Sequence, residues 1–135
     1  MDSRRTFLSH AGFLAVAATF GNLFKKNHPV MPAESLFVHH VYFYLNNPAS
    51  QEDRAKLVAG LKQLAKIDYF QLTHIGVPAD THRDVVERGY DISWLVFFKN
   101  PADQETYQSD PVHLKFIDEC KHLWQKVVVY DSVEA

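Results

Sequence analysis

The chain has 135 residues, 47% of them apolar, and a formal net charge of -2 at pH 7, which is enough for one domain with a proper core and a short appendage. From Glu34 onward ten basic residues face fifteen acidic ones, and an acidic body without clustered Lys or Arg argues against nucleic acid, where phosphate neutralisation supplies most of the affinity. Cys120 is the only cysteine, so there is no internal disulfide and no thiolate cluster for zinc.

At the N-terminus, SRRTFL (Ser3 to Leu8) precedes the apolar run AGFLAVAATFGNLF and then Lys25-Lys26. A basic start and an apolar stretch shorter than the ~20 residues of a membrane span have the make-up of an export signal. Arg4 and Arg5 followed by Thr6, Phe7 and Leu8 resemble the twin-arginine signal, which a receptor reads. The expectation is export of a folded bacterial protein to the periplasm or another extracytoplasmic space, with membrane anchoring only if the segment is not cleaved. The alternative is an amphipathic terminal helix. Residues 1–33 are therefore read as signal and spacer, and residues 34–135 as one domain.

LFVHHVYFYL, Leu36 to Leu45, is rich in β-branched and aromatic residues and predicts a strand ended by Asn46-Asn47-Pro48. Ser50 with Asp53 three residues on makes a helix start, and Leu57, Leu61, Leu64 and Ala65 recur at helical spacing up to about Ile67. Tyr69 to Val77 predicts a second strand, Pro78 to Gly89 a polar loop, and Ile92 to Phe98 a third strand. Asn100-Pro101 and Asp110-Pro111 each combine a cap with a first-turn proline. They predict a short helix to about Ser109 and another carrying Leu114, Phe116, Ile117 and Leu123. VVVY, Val127 to Tyr130, begins the last strand. The order is β-α-β-β-α-β, an α+β ferredoxin-like arrangement.

A sheet with helices on one face should be polar on the other. Here both faces are apolar: Ile92, Trp94, Val96 and Phe98 oppose Leu95 and Phe97, while Phe37, Val41, Phe43 and Leu45 oppose Val38, His40, Tyr42 and Tyr44. So large an apolar patch needs a cover. A second copy, sheet against sheet, supplies it, and a hydrophobic ligand could share the role.

Asp110 is placed to cap the helix that Pro111 begins, which puts His113 in the first turn. The positive end of a helix disfavours an imidazolium, so this ring should be neutral and able to accept a proton. Tyr107 could hold a substrate carbonyl or protonate an enolate. Cofactor-free proton transfer beside a carbonyl is thus available. The competing reading makes Tyr107 and His113 an anchor for the helix junction. His40 is expected at the cleft with His113, and His39 on the other face. Adjacent strand residues point oppositely, so His39 and His40 do not form a metal pair, and no metal site is expected. Tyr42, Trp94 and Phe97 are candidate ligand-contacting walls, together with Tyr44 and Phe98, although aromatics at strand spacing more often form core or interface. Strand-end hydrogen bonds are expected of Asp91 and Asp131.

HVYFYL after His40, Ile75-Gly76, Gly89-Tyr90-Asp91, YQSDPVHLKF and the closing VVVYDSV together resemble the stress-responsive α/β barrel domain, or Dabb, family over about Phe37 to Val133. The resemblance implies a dimeric α+β barrel of two ferredoxin-like halves, and a stress-related or small-ligand-binding role without defined chemistry. It also implies an alternative, since a plant polyketide-cyclase member uses a Tyr and a His at positions matching Tyr107 and His113. That member has a pocket His matching His40, and another where this chain has Ile92.

Overall fold

The computed structural model describes residues 36–135, so the expected export signal and the boundary after residue 33 lie outside the described residues. Four strands and three helices follow in the order β1 (Phe37–Leu45), α1 (Gln51–Leu64), β2 (Phe70–Gly76), β3 (Ile92–Phe98), α2 (Pro101–Ser109), α3 (Pro111–Cys120) and β4 (Trp124–Val133). The helix starts are those the sequence marks. The Ser50 hydroxyl accepts from the Asp53 N–H at 3.1 Å, and the Asn100 carbonyl oxygen from the Asp103 N–H at 2.8 Å. The Asp110 carboxylate accepts from the Val112 N–H at 2.8 Å. Each cap satisfies an N–H that has no partner inside its helix.

The sheet is antiparallel with order β2-β3-β1-β4, the ferredoxin-like arrangement. Directly paired residues share a face, so the register sorts the side chains. Val41, Phe43 and Leu45 from β1 and Ile92, Trp94, Val96 and Phe98 from β3 are buried, with Leu57, Leu61 and Leu64 of α1 and Phe116 and Cys120 of α3. Fully burying a side chain of this size contributes ~1.5–3 kcal/mol. The helices approach closely at Gly60, where a Cβ would stand 2.7 Å from Cys120 Sγ. Burial raises the Cys120 thiol pKa, as suits an inert core residue.

Two expectations need correction. The last helix carries Leu114, Phe116 and Ile117 as expected but ends at Cys120, so Leu123 falls beyond it. The last strand starts earlier than VVVY, at Trp124, after a 3-10 turn over Lys121–Leu123. Leu123 is buried, and Trp124 pairs with Leu45 across a register shift while its ring lies 5.0 Å from that of Phe43. Asp91 does make the strand-end bonds expected of it: it accepts from the Leu45 N–H at 2.8 Å and pairs with Arg54 at 2.7 Å. The β1–α1 connection is thereby pinned to the start of β3.

All three helices contact the sheet through the face of Val41 and Trp94. The other face carries Val38, His40, Tyr42, Leu95 and Phe97, all half-buried, with Leu72 and Tyr130 exposed on the edge strands.

Candidate functional site

Only Asp110 separates α2 from α3, and its extended backbone turns the chain sharply. Its carboxylate caps α3 and also accepts from the Tyr69 hydroxyl at 2.8 Å, tying the corner to the approach of β2. Tyr107 at the end of α2 and His113 in the first turn of α3 consequently stack, with ring centres 4.1 Å apart and planes 29° from parallel. The two residues that the sequence singles out do meet.

Tyr107 is 1% exposed. Phe70 of β2 and Phe98 of β3 lie 5.5 and 5.3 Å from its ring, and His39 of β1 meets it edge-on at 5.9 Å. Burial pushes the phenol pKa well up, so the hydroxyl stays protonated and can act as a donor. The Trp94 indole N–H approaches this hydroxyl and favours the phenolate, but it falls short of hydrogen-bond geometry and has no other partner. His113 Nδ1 is likewise buried, and among the described residues no acceptor meets it in full hydrogen-bond geometry. Burial lowers the His113 pKa, more than the nearby carbonyls of Gln108 and Tyr107 raise it. The ring is therefore neutral at neutral pH, as its place in the helix suggests, although burial is the main cause.

The histidine that joins this cluster is His39, which corrects the expectation for His40. The β1 register pairs His39 with Val96 and Asp131, on the helix-covered face, and His40 with Leu95 and Tyr130, on the open one. Because alternation has a period of two, matching the wrong member of a His-His pair places it on the wrong side of the sheet. His39 is buried, and its Nδ1 lies 2.6 Å from Asp131 Oδ1. Asp131 therefore does more than bond at a strand end. With Nδ1–H donated to the carboxylate, a neutral His39 keeps Nε2 as its acceptor. The signal was present in the sequence: Phe37, His39, Val41 and Phe43 alternate together.

The candidate wall residues also divide. Trp94 stands in the core beside Tyr107, while Tyr42 and Phe97 are on the open face. There Tyr42 bonds His40 Nδ1 at 2.9 Å and meets Tyr90 and Tyr130 edge-on. Tyr42, Tyr44, Tyr90, Tyr130, Glu87 and Lys126 surround an open hollow of about 420 Å³. Among the described residues no group of three or more His, Cys, Asp or Glu could hold a metal ion. No described helix is long and apolar enough to cross a membrane.

The strand order and the one-sided helical cover define a ferredoxin-like α+β domain. The sequence profile of the Stress responsive A/B Barrel Domain, Dabb, matches residues 37–134, and the chain belongs to that family. No curated protein matches it. Among solved structures it is similar to the hydroxynitrile lyase of Passiflora edulis, with 22% identity, a TM-score of 0.62, and coverage of 76% of this chain and 94% of that one. A dimeric ferredoxin-like protein of unknown function from Thermobifida fusca shares 14% identity at a TM-score of 0.60, covering 76% and 95%. Another dimeric protein of unknown function and ferredoxin-like fold, from Bacteroides fragilis, shares 18% at 0.55, covering 73% and 95%. At these identities the likeness concerns the fold.

Proposed function

We propose that this Dabb protein is a homodimer, joined through its open sheet faces, that holds a small apolar molecule bearing a carbonyl group beside Tyr107, His113 and Trp94. The observation that carries the ligand reading is the pair of buried polar atoms, Trp94 Nε1 and His113 Nδ1, that meet no partner in full hydrogen-bond geometry among the described residues. A buried unsatisfied polar group costs about 1–3 kcal/mol, and native folds keep few of them without a use. A ligand carbonyl could accept from the Trp94 N–H and the Tyr107 hydroxyl, with Phe70 and Phe98 against its apolar part. Self-association is supported by the half-buried apolar face left by the helices, and by the dimeric descriptions of the two bacterial proteins that share the fold.

The test is a titration of the protein with a panel of ketones and aldehydes, read by thermal midpoint and by Trp fluorescence. Binding that weakens tenfold or more in Trp94→Phe and in His113→Ala supports the reading. Compounds that bind both variants as well as wild type place the ligand elsewhere and refute it.

A second reading, catalysis without a cofactor, is favoured by the His39–Asp131 pair, which orients a second imidazole toward Tyr107. Tyr107 would donate to a substrate oxygen while neutral His113 accepts a proton, with His39 held beside them by Asp131. The hydroxynitrile lyase fold relative suggests hydroxynitriles as a first class to screen, beside enolisable ketones. General acid–base contributions run at about 10²–10⁴-fold. Turnover that falls by that much in Tyr107→Phe and His113→Ala, with ligand binding retained, would establish the enzyme.

A further inference from the structure

The row His74, Leu95, His40, Tyr130 crosses the open face of the sheet. Phe97 and Val38 flank it on one side, Tyr42 and Val128 on the other. A second copy that covers both flanking sets must also cover His40, which stands between Val38 and Tyr42, while His74 lies beyond Leu95 on the edge strand β2. We infer that the homodimer is gated by pH, with protonation of His40 and His74 driving the two copies apart. The inference rests on the self-association proposed above and adds its regulation.

Among the described residues, the groups that pair with these rings across the sheet supply no negative charge to hold an imidazolium. Tyr42, on the same strand, reaches His40 Nδ1 at 2.9 Å, and its hydroxyl can donate to that nitrogen or accept from it but brings no negative charge. From β4 comes Tyr130, from β2 His74 itself, and from β3 only Ser93, Leu95 and Phe97. Tyr90 reaches the face from the loop before β3 and packs on Tyr42. The His74 ring folds back over Gly76, where a Cβ would lie 2.9 Å from it. Charged groups on this side include Lys126, over the Tyr44 ring at 4.9 Å, and Glu87, both around the hollow at the Tyr44 end of the sheet. The one carboxylate next to a β1 histidine, Asp131, bonds His39 on the opposite face.

Before any partner arrives, His40 is already biased toward its neutral form, by burial first and then by charge on His74 and His39. Covering the face removes more water from both rings and disfavours the charged form further. The sign follows from linkage. When assembly lowers the pKa of a group, assembly is at full strength above the pKa of the free protein and weakens as pH falls below it. Each ring kept neutral weakens association by about tenfold per pH unit below that point, and two-fold symmetry brings the His40 of each copy into the interface.

The experiment is sedimentation velocity of the full chain over a concentration series at about pH 7.5 and about pH 5.0, with far-UV circular dichroism to confirm folding. The dimer dissociation constant is expected to rise by about 30-fold or more at the lower pH. In the His40→Gln/His74→Gln and His40→Leu/His74→Leu double variants, the rise should shrink to a few-fold. Equal constants for wild type at both pH values overturn the inference, as does an unchanged rise in a folded double variant. A wild-type chain that stays monomeric at pH 7.5 overturns the self-association on which the inference stands.

Discussion

A phenol as buried as Tyr107 serves its fold mainly through its ring. The edge contacts to Phe70, Phe98 and His39 and the stack on His113 persist in Tyr107→Phe. Chemical denaturation should therefore show a loss below about 1.5 kcal/mol for Tyr107→Phe, against about 3–5 kcal/mol for Tyr107→Ala. A larger loss in the Phe variant would make the hydroxyl a structural hydrogen-bonding group and weaken its assignment to a ligand. His113 gives a test in pH. Its folded pKa is lowered by burial, so the stability tied to its neutral ring is complete above the unfolded value of about 6.5 and is lost as pH falls below it. Thermal midpoints of wild type and His113→Gln should draw together between about pH 7.5 and 5.0. Parallel curves would mean that the ring is not held neutral by the fold. Tyr107 and His113 were legible in the sequence as a pair because one capped turn separates them. His39 is expected on the face away from His113, because the family resemblance points to its neighbour, while the strand's own alternation points to His39.

Among the elements, the α2–α3 corner and the α1–α3 contact decide whether the site exists. Asp110→Ala removes a cap to Val112 and the acceptor of the Tyr69 hydroxyl together. It should lower stability by about 1–3 kcal/mol. For a domain of this size each kcal/mol shifts the thermal midpoint by about 4–8 °C. Asp110→Asn keeps an acceptor at the cap and should recover much of the loss. At the other end of α3, Gly60→Ala drives a methyl group into Cys120 Sγ and Phe116, and overpacking of this kind costs about 1–3 kcal/mol. A neutral or stabilised Gly60→Ala protein would show that the two helices can move apart freely. The caps that start these helices were visible as Ser50, Asn100-Pro101 and Asp110-Pro111. The close approach at Gly60 was not, since nothing in a local pattern says which helix will lie across a glycine.

On the scale of the whole molecule, the open face is where the proposed self-association is tested. Leu95 lies on the central strand β3, between His40 and His74. Leu95→Lys places a flexible cation in the middle of the proposed interface while leaving the helix-side core alone. Size-exclusion chromatography with light scattering should then report a folded monomer, with the dimer weakened at least 100-fold, the range expected when a charge is left unpaired in an interface. A variant that remains dimeric would put the interface on another surface.

By itself the sequence determined the elements, the starts of the helices and the two-faced apolar character of the strands, because caps, prolines and side-chain alternation are local and act over a few residues. It also determined the family, through motifs spread over the whole domain. Only the tertiary structure decided which of two adjacent histidines stands beside Tyr107, that Asp131 holds it, and that Trp94 and Tyr42 lie on opposite sides of the sheet. Those outcomes depend on strand register and on which face the helices cover. They are set by pairing between residues as far apart as His39 and Asp131, which no local pattern records.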